Sequence, residues 1–96
     1  MIKHLVMFKL AEGHDPLVFA SIIEKLNQLP SQIPEIKAMA HGPNAAGDNS
    51  KYDYGLSADF ETMDDCQTYL THPAHQALGA ELVKIIADAG SMQFSC

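Results

Sequence analysis

Apolar and polar positions alternate from Ile2 to Leu10. Ile2, His4, Val6, Phe8 and Leu10 share one face of a strand, and Lys3, Leu5, Met7 and Lys9 share the other. That second face is half apolar, because Leu5 and Met7 sit between two lysines, so the strand asks for cover on both sides. After a turn at Glu12-Gly13-His14 the period changes. Asp15-Pro16 reads as an N-cap followed by proline at the first helical position. Phe19, Ile22, Ile23 and Leu26 then recur at helical spacing, and the helix is expected to end near Leu29-Pro30.

Pro34 and Gly42-Pro43 bracket a short second strand, Ile36 to His41, and Pro43 to Ser50 reads as a polar loop. Alternation is clearest from Tyr52 to Phe60. Tyr52, Tyr54, Leu56, Ala58 and Phe60 point one way, and Asp53, Gly55, Ser57 and Asp59 the other. Thr62 opens the next helix, with Asp64 and Asp65 near its positive end and Cys66, Tyr69 and Leu70 on its inner face. His72-Pro73 interrupts it, since proline restricts the residue before it and offers no amide hydrogen. Pro73 begins a further helix carrying Leu78, Leu82, Ile85 and Ile86, expected to end at Asp88-Ala89-Gly90. Ser91 to Ser95 forms the last strand, with Met92 and Phe94 on one face.

The order strand, helix, strand, strand, broken helix, strand predicts an α+β, ferredoxin-like βαββαβ domain over residues 1–96, with helices on one face of a four-stranded antiparallel sheet. The other face has no cover of its own. A second copy packed sheet against sheet, a homodimer, is the expected remedy. Size points the same way: 96 residues at 10.5 kDa bury roughly 64% of the unfolded chain's surface, a thin margin for one small core.

Twelve acidic against six basic side chains, net −6, argue against nucleic acid or an anionic membrane surface as partner. No apolar run approaches the ~20 residues of a membrane helix, and Met1-Ile2-Lys3-His4 leads into alternation rather than a signal-peptide core. Cys66 and Cys96 are too few for a disulfide framework. A cytoplasmic location is expected.

Candidate chemistry gathers at Tyr69, His72, Pro73, Ala74 and His75, with His4 as a distant partner. A break in the helix turns Tyr69 and His75 toward one point. A neutral imidazole can take a proton near pH 7, and a phenol can donate to a developing oxyanion. The plainer readings are a helix-boundary role for His72, hydrogen-bonded structural histidines at His75 and His4, and a core tyrosine with a satisfied hydroxyl at Tyr69. His72 and His75 supply at most two metal ligands, and nothing completes a zinc set, so no metal and no cofactor are expected. His14 and His41 are read as solvated turn residues. Cys66 is read as a packing residue whose acidic neighbours raise its thiol pKa. Asp53 and Asp59 are read as rim charges on the face opposite the helices.

These residues resemble the stress-responsive A/B barrel (Dabb) family. The resemblance runs through Lys3-His4-Leu5-Val6, Ile33-Pro34, Gly42, the stretch Tyr52 to Phe60, and most specifically Tyr69-Leu70-Thr71-His72-Pro73-Ala74-His75, and it spans essentially the whole chain. It implies a dimeric α/β barrel built from two ferredoxin-like protomers, a stress-associated protein without an established reaction. One characterised member, the plant olivetolic acid cyclase, closes a linear polyketide without a cofactor. Its HPxH segment implies catalytic roles for His75 and Tyr69 and a pocket position for His4. Here Tyr54 stands where that enzyme has a pocket histidine, and Leu26 where it has a pocket tyrosine. A pocket lined by His4, Val6, Phe8, Ile23, Leu26, Met39, Tyr54, Leu56 and Ile86 would suit a small hydrophobic or aromatic ligand. Fold analogy adds a third expectation, a cofactor-free monooxygenase.

Overall fold

A computed structural model describes residues 1–47 and 51–96; positions 48–50 of the expected polar loop lie outside the described residues. The chain runs β1 (Ile2–Leu10), α1 (Pro16–Gln32), β2 (Ala38–Pro43), β3 (Tyr54–Phe60), α2 (Met63–Thr71), α3 (Pro73–Val83) and β4 (Ile86–Ser95). The strands form one antiparallel sheet in the order β2-β3-β1-β4. This is the ferredoxin-like βαββαβ fold that the alternating and helical periods predict. Register fixes the faces. Val6 pairs with Leu56 and Ser91, and His4 with Ala58 and Gln93, on the side that the helices cover. Met7 pairs with Gly55 and Gly90, and Leu5 with Ser57 and Met92, on the open side.

The helices begin where the caps predict. The Asp15 carboxylate accepts from the Leu17 amide at 2.9 Å, and the Thr62 hydroxyl from Asp65 at 3.1 Å. The first helix does not stop at Pro30. It runs to Gln32, and the Ile33 amide closes it on the Leu29 carbonyl at 2.9 Å. A helical proline costs about 3 kcal/mol, but continuing the helix buries both Leu29 and Ile33, each worth about 1.5–3 kcal/mol. Burial wins.

Three other boundaries move. The second strand starts at Ala38, because Ile36 is buried in a turn, its amide bonded to the Ile33 carbonyl at 3.1 Å. Tyr52 is not in phase with Tyr54. The Asp53 carboxylate takes the Leu10 amide at 2.8 Å, the chain turns there, and the Tyr52 ring lies over Gly90 beside Met7 on the open side. Asp53 therefore serves β1 rather than a rim. The last helix ends at Val83 and not at Gly90. The amides of Lys84 and Ile85 close on Glu81 and Leu82, Ile85 is buried in the turn, and Ile86 already pairs with Leu10. Gly90 sits mid-strand, where ladder pairing with β1 outweighs its signal as a stop.

The core lies between the helices and the sheet. Ile22, Leu26, Leu29 and Ile33 of α1 and its cap meet Ala58 and Phe60 of β3, Cys66 and Tyr69 of α2, and Leu78 of α3. Met39 and Ile86 pack against this cluster. Met92 and Phe94 stand exposed on the open side.

Candidate functional site

The break between α2 and α3 organises the site. His72 is extended, with φ −64° and ψ 136°, and caps α3: its Nδ1 accepts the Ala74 amide at 3.1 Å. In an unbroken helix that amide would bond to the carbonyl of Leu70, four residues earlier. Its diversion leaves the Leu70 carbonyl open, and His75 Nδ1 fills it at 3.1 Å. A carbonyl only accepts, so His75 carries its proton on Nδ1 and leaves Nε2 as the basic nitrogen. Burial lowers the His75 pKa from its ordinary value, which the Leu70 bond partly opposes and the nearby His4 and His72 reinforce. At neutral pH the ring is an uncharged base.

Tyr69 stands beside it. Their rings are 4.4 Å apart, and Tyr69 also meets Phe60 at 5.1 Å and His4 at 5.8 Å. Tyr69 is 2% exposed, and burial pushes its phenol up to about 12, with a smaller push from Cys66. The hydroxyl therefore stays protonated and can only donate or accept a hydrogen bond. Among the described residues no protein group bonds it. His4 is buried, its Nδ1 3.4 Å from Gln93 Oε1, and burial lowers its pKa as well. Cys66 is fully buried, and it is this burial that raises its thiol pKa.

His75 lies in the wall between two hollows. The inner one, about 70 Å³, is lined by Val6, Phe8, Ile22, Ile23, Leu26, Leu56, Tyr69, His75, Leu78, Gly79 and Leu82. The outer one, about 260 Å³ and more open, is lined by His4, Val6, Leu70, His75, Ala89, Gly90 and Ser91. No lysine lines either, and the chain has six cationic side chains in all. Of the expected pocket residues, Val6, Phe8, Ile23, Leu26 and Leu56 meet around the inner hollow, and His4 faces the outer one. Met39, Tyr54 and Ile86 line neither. Ile22, Leu78 and Leu82 line the inner hollow outside the expected set, although their helical spacing placed them on apolar stripes; the Leu70 carbonyl was not legible, because a backbone group leaves no mark in the side-chain pattern.

Tyr54 belongs to a different cluster. It stacks on Phe8 with 5.4 Å between ring centres, and its hydroxyl lies 2.7 Å from His41 Nδ1. His41 Nε2 donates to Asn27 Oδ1 at 2.6 Å, so Nδ1 accepts from Tyr54 and α1 is tied to β2 and β3. His41 is thus a half-buried strand residue and not a solvated turn. His14 sits in its turn with Nδ1 on the Ala11 carbonyl at 3.0 Å and its ring edge-on to Phe19. Among the described residues no group of three histidine, cysteine or acidic side chains is arranged to hold a metal ion, and no helix is long and apolar enough to cross a membrane.

An antiparallel sheet covered on one side, with a histidine-bearing break between α2 and α3, defines a ferredoxin-like α+β domain of the kind found in dimeric proteins. A crystal structure of a dimeric ferredoxin-like protein of unknown function from Thermobifida fusca matches it with a TM-score of 0.87 at 30% identity, covering 99% of this chain and 90% of that one. A dimeric protein of unknown function from Bacteroides fragilis matches at 27% identity with the same TM-score, covering 99% and 95%. An uncharacterised protein of Streptomyces coelicolor is 35% identical over 80 residues, 80% of this chain and 81% of that protein. The family model for the stress responsive A/B barrel domain matches residues 2–96, and the chain belongs to that family. No established reaction accompanies these relatives.

Proposed function

We propose that this protein is a cytoplasmic homodimer that binds a small, uncharged hydrophobic or aromatic carbonyl compound beside His75 and Tyr69, and that His75 is the general base of a cofactor-independent reaction on it. The observation that carries this reading is the Leu70 carbonyl, which holds the proton of His75 on Nδ1 and leaves Nε2 as the basic nitrogen of a ring that lines both hollows. Nε2 would take a proton from the carbon next to the carbonyl. The electron pair moves onto the carbonyl oxygen, and the Tyr69 hydroxyl, which has no hydrogen-bond partner among the described residues, donates to that oxyanion. An enolate formed this way can attack a second carbonyl, the first step of a cyclase-like aldol closure. The lack of a cation at either hollow supports an uncharged substrate. The dimeric relatives and the half-apolar open face support the homodimer.

A second reading is binding without turnover: the inner hollow, about 70 Å³, falls well below the roughly 300 Å³ at which ligand pockets begin, whereas the outer hollow of about 260 Å³ has His75 but not Tyr69 in its lining, so a ligand held there would lie against the base without the phenol beside it. Exchange of α-protons on a β-diketone in heavy water, followed by NMR, separates the two. Base catalysis predicts exchange that falls roughly 10²–10⁴-fold in His75→Gln and by less in Tyr69→Phe. Equal exchange in all three proteins would remove both roles, and saturable binding without exchange would leave the binding reading alone.

A further inference from the structure

Among the described residues α3 holds the one glycine that lies in a helix. Ala74, Ala77 and Ala80 show that a single-carbon side chain suits most of this helix, but at Gly79 even that carbon is withheld. Glycine is the poorest helix former after proline, because it gives up the most backbone freedom on folding. The usual reasons for accepting that penalty are missing. Gly79 has no positive φ, and the helix continues past it to Val83, so it is neither a turn nor a cap. No neighbouring element presses on it either, since a Cβ there would meet nothing beyond its own helical backbone within 4 Å.

What lies over Gly79 is the inner hollow. Residues four apart share a helix face, so Gly79 stands one turn beyond His75, and both line that hollow. A helical side chain leans over the turn that precedes it. The His75 ring does so when it bonds the Leu70 carbonyl at 3.1 Å, which draws it away from Gly79. Any side chain at position 79 would lean the same way and stand in the space the ring has vacated. Around that space Ile23, Leu26 and Leu82 offer only hydrocarbon. The hollow next to the base is therefore open because residue 79 has no side chain.

We propose that Gly79 is a specificity-determining residue of this site: the carbon skeleton of an enolisable, uncharged β-dicarbonyl compound crosses α3 at Gly79, which lets its acidic CH₂ reach His75. The inference rests on the general-base reading above, with the same proton transfer to Nε2 and the electron pair moving onto oxygen. The test is exchange of the central CH₂ of acetylacetone and of the bulkier benzoylacetone in heavy water, beside thermal melting. Gly79→Ala should melt roughly 4–8 °C above the wild type, because alanine is the better helix former and has room. Its kcat/KM for exchange of benzoylacetone should nevertheless fall roughly 10–200-fold, the worth of one methyl-sized misfit in an apolar pocket. Acetylacetone should lose less. Gly79→Leu, which also favours the helix, should extend the loss to both compounds. A wild type inert toward both would sink the base reading and this inference with it. A wild type that exchanges both, with Gly79→Ala exchanging benzoylacetone just as fast, would sink the role of Gly79 alone. So would a Gly79→Ala variant that melts below the wild type, since the fold itself would then require the glycine. If Gly79→Leu misfolds, the alanine variant still decides.

Discussion

Phe60 and Phe94 sit two pairings from each other across the same sheet and face opposite ways. Phe60, with 0% exposure, is sealed between β3 and Tyr69, whereas Phe94 is 40% exposed on β4. The covered side packs the core of the protomer, and the open side leaves large apolar side chains exposed among the described residues. If the protein is the homodimer proposed above, the same residue type answers to two different equilibria, one within a chain and one between chains.

The largest effect expected on the covered side is that of Phe60→Ala. It should cost about 3–5 kcal/mol in urea unfolding, as for other buried aromatics, at every protein concentration. Phe94→Ala should instead change stability only through association, so its midpoint should shift with concentration and not in the dilute limit. A Phe94→Ala variant as unstable as Phe60→Ala at high dilution would break the contrast between the faces.

Acidification tests the same side. His4 and His75 both have folded pKa values lowered by burial, so the unfolded chain binds protons first as pH falls below about 6.5. Stability should be full above that pH and decline as pH drops toward the depressed folded values. The decline should be shallower in His75→Gln and in His4→Gln, measured by urea titration between pH 7.5 and 5. Smaller again is the loss of a cap: Thr62→Ala should cost about 1 kcal/mol, since it frees only the Asp65 amide. Smallest is Lys25→Ala. Its exposed pair with Glu81 at 2.8 Å should be worth under about 1 kcal/mol, and less still in 1 M salt.

The sequence discloses the layers of this fold because period-2 and period-3.6 patterns record which side of each element is buried. Ile2 to Leu10 carries its whole strand, and Asp15, Thr62 and His72-Pro73 mark where helices begin or break. What it conceals depends on competition between distant parts. Pro30 is a stop only until the burial of Ile33 is counted, and Gly90 is a stop only until pairing with β1 is counted. Tyr52 changes face because Asp53 lends its carboxylate to Leu10. At the candidate site, Tyr69, His75 and most of the apolar lining were readable. The Leu70 carbonyl and the Asn27-His41-Tyr54 chain were not, since each joins groups whose proximity only the folded backbone creates.

The position of the proton on His75 is decided by a hydrogen-bond swap in the main chain, in which His72 claims an amide and thereby releases a carbonyl. The residue that sets the tautomer of the ring is thus three positions upstream and lines neither hollow. The proton affinity answers first to burial, so remodelling the walls of the hollow would retune the charge state of the ring while the helix break goes on deciding which of its nitrogens is basic.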